Sequence, residues 1–170
     1  MTVNVNTPDP VTVNGVDLPQ TCKFTYLGSN ITPEGGTNED IRSRMGKARN
    51  TFREMNNVWR SAQYNTNTKL KLYQSCVVST LLYGSECWRM TETDLSKLRS
   101  FHTTCLRRIL RIFWPERISN GQTLRRCQQD DMGDIILRRR WRWIGHVLRK
   151  DPQSITRTAL HWTPDGKRKR

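Results

Sequence analysis

The chain has 170 residues, a net charge of +14 and an isoelectric point near 10.3, and only 35% of its residues are apolar. This length fits one domain with a compact core, and the positive charge favours a polyanionic partner, nucleic acid before an acidic membrane surface. The polar, Pro-containing residues 1–20 exclude a secretory signal, and no apolar run reaches the roughly 18 residues that a membrane span requires.

A small β element of three short strands is predicted for residues 1–36. Alternating valines flank Asn14-Gly15, a pair that is typical of a type I′ hairpin turn. The run Phe24-Thr-Tyr-Leu-Gly28 predicts a third strand, because aromatic residues favour strands and the glycine ends the run. Strands this short are only marginally stable alone, so we expect the element to lean on helices or on missing partner strands.

From Thr37 onward apolar residues recur at helical spacing, and a bundle of about five helices is expected. The apolar face of the first helix comprises Ile41, Met45, Ala48, Phe52, Met55 and Trp59. Its basic outer face comprises Arg42, Arg44, Lys47, Arg49 and Arg53. The central helix, residues 67–88, is apolar on most sides, is capped by Asn67 or Thr66, and bends or ends at Gly84.

The next helix opens at residues 91–94, Thr-Glu-Thr-Asp, which have the form of a capping box. Pro115 is expected to end it, because proline cannot continue a helix. A further short helix is predicted near residues 120–128. The helical bundle therefore spans residues 37–128.

A strongly basic amphipathic helix is predicted at residues 129–150, followed by a basic, disordered tail at 151–170. Residues 138–170 hold eleven Lys and Arg against two Asp, a net charge of +9. Successive residues placed 100° apart separate into two arcs. The basic arc comprises Arg138, Arg139, Arg142, His146, Arg149 and Lys150. The apolar arc comprises Ile136, Leu137, Trp141, Trp143, Ile144, Val147 and Leu148, and Arg140 is the exception within it.

Arginines at helical spacing can follow a phosphate backbone, and each phosphate that they neutralise releases counterions, which makes binding steeply salt-dependent. We therefore expect phosphate contacts from the basic arc rather than a merely solvated charged face. The predicted nucleic-acid-binding residues are Arg138, Arg139, Arg142, Arg149 and Lys150, then Arg107, Arg108 and Arg111 on the preceding long helix. Trp141 and Trp143 could stack on bases, but core packing is favoured for at least one of them.

The five cysteines are odd in number and lack the short Cys-x-x-Cys step that preorganises a zinc site. A site built from Cys87, Cys105, Cys127 and His146 is conceivable, but structural cysteines are favoured, and neither a metal nor another cofactor is expected. Such a cysteine pattern without a secretory signal indicates a reduced, intracellular protein, nuclear or cytoplasmic.

Polymerase-type chemistry requires clustered carboxylates that hold two metal ions. The adjacent acidic pairs Glu39-Asp40 and Asp130-Asp131 stand where helices begin. Because carboxylates stabilise helix N-termini, capping explains these pairs better than catalysis does. The residues alone therefore indicate a nucleic-acid-binding module without catalytic residues.

Five runs, in the same order along the chain, carry a resemblance to a known family. They are residues 24–28 (FTYLG), 41–48 (IRSRMGKA), 81–88 (LLYGSECW), 105–110 (CLRRIL) and 138–149 (RRRWRWIGHVLR). From about Val11 onward the chain resembles the C-terminal part of the reverse transcriptase of non-LTR, LINE-type retrotransposons, especially the RTE-like group.

By this resemblance, Phe24, Tyr26, Leu27 and Gly28 correspond to the primer grip between palm and thumb, which holds the 3′ end of the primer. The helices from Thr37 correspond to the thumb, which grips the template–primer duplex, and the arginine-rich helix corresponds to the downstream nucleic-acid-binding region. The implied partners are RNA, DNA or an RNA–DNA hybrid, together with the rest of the reverse transcriptase.

The family's catalytic aspartates lie in a Tyr/Phe-Ala-Asp-Asp motif upstream of the primer grip, and this sequence contains no such motif. We therefore expect a fragment that is not an enzyme on its own, whereas the intact polymerase would need a divalent metal such as Mg²⁺. Two alternatives stay open: an interaction module that docks onto an intact element-encoded polymerase, and a retrotransposon relic without function.

Overall fold

The computed structural model describes residues 11–26, 28–32 and 37–162. The predicted mainly α fold with a short N-terminal β element is confirmed. The strands are β1 (Thr12–Val13), β2 (Val16–Asp17), β3 (Phe24–Tyr26) and β4 (Ser29–Ile31). The helices are α1 (Asn38–Glu54), α2 (Asn56–Arg60), α3 (Thr66–Leu72), α4 (Ser79–Leu81), α5 (Glu92–Leu110), α6 (Asn120–Cys127), α7 (Met132–Leu148) and α8 (Ile155–His161).

Two separate antiparallel ribbons replace the predicted three-stranded element. β1 pairs with β2, and Asn14 and Gly15 form the predicted turn with φ angles of 53° and 78°. β3 pairs with β4, which the sequence analysis missed because Ser and Asn have low strand propensity. Gly28 between these two strands has a φ of 80°, in the left-handed region that glycine adopts without strain.

Helix α1 buries the predicted apolar face as far as Phe52, and the helix ends at Glu54, so that Trp59 reaches the core from α2. The hydroxyl of Thr37 does not cap α1 but donates to the carbonyl of Arg89, at 2.9 Å. The placement of Arg44 on the basic outer face is wrong. Arg44 is buried, and its guanidinium lies 4.6 Å from the centre of the Tyr83 ring.

The central apolar segment is one helical path of changing pitch. α3 is capped by the side chain of Asn65, not by Asn67 or Thr66, and a π-helical stretch, Tyr73–Val78, connects it to α4. Gly84, with a φ of 76°, ends the path as predicted, and a 3₁₀ turn, Ser85–Cys87, follows. The predicted burial on most sides is wrong: the buried residues recur at helical spacing on one side, whereas Lys71, Ser75 and Tyr83 are exposed.

Helix α5 begins at the predicted cap, where Thr91 Oγ1 accepts from the backbone N–H of Asp94 at 3.2 Å. It ends earlier than Pro115 requires, because Arg111 adopts the left-handed conformation with a φ of 57°. α6 follows closely the prediction for residues 120–128 and opens with a capping box between Ser119 and Gln122.

One hydrophobic core joins the helices from α1 to α7. Its buried members include Phe52, Tyr73, Leu81, Leu106 and Met132, which come from five different parts of the chain. α8 contributes no buried residue and contacts α7. Within the described ranges, no helix is long and apolar enough to cross a membrane.

Candidate nucleic-acid interface

Helix α7 packs on the body through a narrow strip. Met132, Ile136 and Val147 are buried, and the helix lies against α5 and the 3₁₀ turn. On the same side, Nη1 of Arg139 donates to the carbonyl of Leu82 at 3.1 Å. The next residue does the same: Nη2 of Arg140 donates to the carbonyl of Trp88 at 2.8 Å. The side chains of these two arginines therefore hold α7 to the rest of the fold.

The structure thus corrects the predicted division of α7 in two respects. Arg139 does not belong to the solvent-facing basic arc. Its guanidinium donates to the carbonyl of Leu82 and lies 3.6 Å from Oε1 of Glu86. The predicted apolar arc is not all packed: Leu137, Trp141, Trp143 and Leu148 are all exposed. Helix α7 lies at the edge of the bundle, where neighbouring elements cover only one side of it.

The outward side of α7 carries the cations that are free to meet a ligand. Arg142 and Arg149 are exposed, and neither donates a side-chain hydrogen bond to any residue that the structure describes. A Cβ placed on Gly145 would lie 3.3 Å from Nη1 of Arg149, so this guanidinium extends back along the helix towards Arg142. Arg138 is also exposed and pairs with Asp130 at 2.8 Å, a surface pair that a phosphate can replace at small cost.

Trp141 stands beside these arginines, with 63% of its surface exposed. Residues three and four apart are neighbours on a helix, so Trp141 lies next to Arg138 and to Gly145. A tryptophan between arginines can stack on a base or a ribose while the guanidinium groups bind phosphates. Lys150, the last predicted contact, is half-buried, and its carbonyl accepts from Arg157 at 3.0 Å.

The three predicted arginines of α5 differ in their freedom. Arg107 is committed, because its Nη2 donates to the carbonyl of Ile118 and to Oδ1 of Asn120, both at 2.8 Å. Arg111 is exposed and donates to the carbonyl of Arg60. Arg108 is exposed and donates no side-chain hydrogen bond within the described residues. Only part of this predicted group is therefore free for a ligand.

The residues that resemble a primer grip lie on the second ribbon. Phe24 and Tyr26 are exposed on β3, and their ring centroids are 6.4 Å apart. A Cβ on Gly28 would lie 3.0 Å from Nη2 of Arg44, so a larger residue there would displace the buried guanidinium. Leu27 lies outside the described residues.

The cysteines that the sequence analysis weighed as metal ligands do not come together. Burial raises the pKa of the Cys105 thiol to about 12 and that of Cys127 to about 11, whereas Cys87 and His146 are exposed. Among the residues that the structure describes, no three His, Cys, Asp or Glu side chains form a possible metal site. The buried thiols are protonated core residues.

Two exposed aromatic residues escaped the sequence analysis. Phe113 and Trp114 follow the end of α5, where the prediction only expected a helix stop at Pro115. Their closeness in sequence to Arg107, Arg108 and Arg111 could have pointed to them, because basic residues interleaved with aromatics are typical of nucleic-acid-binding surfaces.

Comparison with known proteins gives a single line of evidence about origin. No family model matches the chain, and no solved structure matches it significantly. An uncharacterized protein of Caenorhabditis elegans that is described as transposon-derived is 26% identical over 146 residues, which are 84% of this chain and 52% of that protein. The chain thus spans about half the length of this relative, whose description states no activity.

Proposed function

We propose that this chain is a nucleic-acid-binding part of a transposon-encoded protein and that it contacts phosphates through the outward side of α7. The observation that carries the proposal is the exposure of Arg142 and Arg149 beside Trp141, without acidic partners among the described residues. A net charge of +14 adds a long-range attraction for polyanions.

The finer form of the proposal assigns the chain to the reverse transcriptase of a non-LTR retrotransposon. Five collinear runs resemble the primer grip, thumb and downstream basic region of that enzyme, and the transposon-derived relative supports a mobile-element origin. In this reading, Phe24, Tyr26 and Gly28 of the second ribbon correspond to the primer grip. The helical body then grips a template–primer duplex with little sequence preference, because phosphates carry no sequence information.

The direct test measures binding to a labelled, blunt-ended RNA–DNA hybrid across a salt series. Arg138, Arg142 and Arg149 changed together to Ala should lower the slope of log affinity against log salt by about 2 to 3, since each phosphate contact contributes about 0.9. The matched control removes the same charge from Arg53, Arg89 and Arg125, which are exposed outside α7. Equal slopes for both triple variants would refute the α7 interface.

We also propose that the chain alone does not extend primers. A primer-extension assay on the purified protein, with and without Mg²⁺, tests this. Incorporation of nucleotides that depends on Mg²⁺ would contradict the proposal, whereas the absence of product would leave binding as the activity to explain.

A second candidate function is docking onto an intact polymerase, and the ribbons favour it. Every residue from 11 to 26 is exposed, including the apolar side chains of Val13, Val16 and Leu18. Two-stranded ribbons leave open edges and gain stability by pairing with further strands. Co-purification with a palm-containing reverse transcriptase, lost when Val13 and Val16 are changed to Lys, would support docking. Binding to neither partner nor nucleic acid would indicate a relic.

A further inference from the structure

The connection between α5 and α6 exposes two adjacent aromatic side chains. Phe113 is 63% exposed and Trp114 is 83% exposed, while Ile112 beside them is buried at 7%. Helix α5 ends at this point, where Arg111 adopts the left-handed conformation. Large apolar side chains left outside the core in this way indicate a binding surface.

Cations surround these aromatics on two sides. A depression of about 320 Å³ is lined by Trp59, Arg60, Arg108, Arg111 and Phe113. A second depression of about 470 Å³ is also lined by Phe113, and its lining includes Trp114, Arg107 and Arg117. Phe113 therefore lines both basic hollows, and Trp114 lines the second.

Most of this charge is not consumed by the fold. Within the described ranges, the side chains of Arg60, Arg108 and Arg117 donate no hydrogen bond and form no ion pair. The acid of the connection, Glu116, is already paired with Arg126 at 3.1 Å. A cluster of uncompensated guanidinium groups repels itself, so an anionic ligand would stabilise it.

We propose that this connection binds unpaired nucleotides of single-stranded RNA or DNA, separately from the interface on α7. Phe113 and Trp114 stack on bases, and Arg60, Arg108 and Arg117 hold the flanking phosphates. The proposal rests on the proposed function in that the polyanion is nucleic acid. A blunt duplex hides its base faces in the stack, so only unpaired nucleotides use the aromatic pair. The charge favours this ligand over an apolar protein surface.

The test compares two labelled ligands, a short oligo(dT) and a blunt-ended RNA–DNA hybrid, by fluorescence anisotropy at one salt concentration. Phe113→Ala with Trp114→Ala should weaken binding to oligo(dT) about tenfold, the effect of one lost stacking contact or more. Affinity for the hybrid should stay within about twofold, because the duplex exposes no base faces. Trp114→Phe keeps an aromatic ring at this position and should retain most of the affinity for oligo(dT).

Controls keep the result interpretable. Trp162→Ala removes another exposed tryptophan, 67% exposed at the end of α8, and should leave both affinities unchanged. Circular dichroism checks folding, and Trp114→Ala alone replaces the double variant if that variant loses helicity. Trp114 is exposed enough for a single substitution to spare the core.

Each of the remaining outcomes would refute a specific part of the proposal. Unchanged binding of oligo(dT) by the alanine variant refutes the stacking site. An equal loss for both ligands refutes the preference for unpaired nucleotides. Wild-type protein that binds the hybrid but not oligo(dT) refutes this inference and leaves the α7 interface standing. Wild-type protein that binds neither ligand refutes both proposals and favours a protein partner for the aromatic pair.

Discussion

Arg139 and Arg142 lie less than one turn apart on α7 but meet different surroundings. The side chain of Arg139 is 31% exposed, and its guanidinium donates to a backbone carbonyl and approaches Glu86. Arg142 is exposed and has no side-chain hydrogen bond within the described part of the chain. A hydrogen bond from a charged donor contributes about 1.5 to 3 kcal/mol, whereas an unpaired surface side chain contributes little. One arginine thus stabilises the fold and the other remains available for a ligand.

The pair allows stability to be separated from binding. Arg139→Ala should lower the free energy of unfolding by roughly 1 to 3 kcal/mol, because the Leu82 carbonyl loses its charged donor. Arg142→Ala should change it by less than about 0.5 kcal/mol and instead weaken binding to nucleic acid. Urea denaturation of both variants measures this, and similar losses of stability would contradict the assignment.

His102 follows the buried Phe101 on α5 and is itself buried at 1% exposure, and its Nδ1 lies 2.8 Å from the hydroxyl of Tyr73. Burial lowers the pKa of His102 from 6.5 to about 4, although the backbone of Asp130 and the charge of Asp131 act in the opposite direction. Burial also raises the pKa of Tyr73, so both groups are neutral in the folded protein near pH 7.

Stability should therefore fall as the pH decreases from about 6.5 to about 4. In that range the unfolded chain binds a proton at His102 and the folded protein does not, which costs up to roughly 3 kcal/mol. Urea denaturation at several pH values should show this loss in wild type and in the exposed-site variant His146→Gln. The same loss in His102→Gln would contradict the assignment to His102.

At the scale of elements, Asp40 connects three parts of the fold. Its carboxylate accepts from the backbone N–H of Asn30 at 3.2 Å and from Nε1 of Trp88 at 2.9 Å. It also lies 3.9 Å from Nε of Arg44, and all of these residues are buried. β4, α1 and the segment after the 3₁₀ turn thus meet at one carboxylate, which compensates a buried guanidinium.

Asp40→Ala should lower the free energy of unfolding by roughly 3 to 5 kcal/mol, because Arg44 would stay buried without a counter-charge. Glu39→Ala is the matched control, since the neighbouring carboxylate forms only surface pairs with Lys23 and Arg42. Its effect should be small. Comparable urea midpoints for the two variants would show that Asp40 does not hold these elements together.

At the scale of the whole molecule, the first ribbon stands apart from the helical body. β1 and β2 pair with each other, and their residues are all exposed. The second ribbon is different, because Asn30 of β4 is buried against α1. The body from α1 to α7 has its own continuous core, to which the first ribbon contributes no residue.

A chain that begins at residue 21 should therefore keep the helical circular dichroism and the Tm of the full chain. The same deletion should abolish docking onto a palm-containing polymerase if the ribbon supplies a pairing edge. A clear drop in Tm after the deletion would mean that the first ribbon packs on the helices and is part of the folded body.

The sequence by itself determined the features that arise within one or two turns of chain. Asn14-Gly15 predicted a hairpin, Thr91 predicted the start of α5, and the apolar face of α1 as far as Phe52 is buried as expected. These features follow from capping bonds, left-handed φ angles and periodic hydrophobicity, which involve near neighbours in the sequence. Mainly α architecture follows from their sum.

Only the tertiary structure decided which cations are free. Arg44 and Arg139 fit the basic pattern of their helices, yet one is buried beside Asp40 and the other bonds to Leu82, 57 positions earlier in the chain. Trp141 fits the apolar pattern, yet it faces outward. The rotation of a helix about its axis depends on the elements that pack against it. The periodicity of the helix sequence does not specify which carbonyl groups those elements present to its arginines.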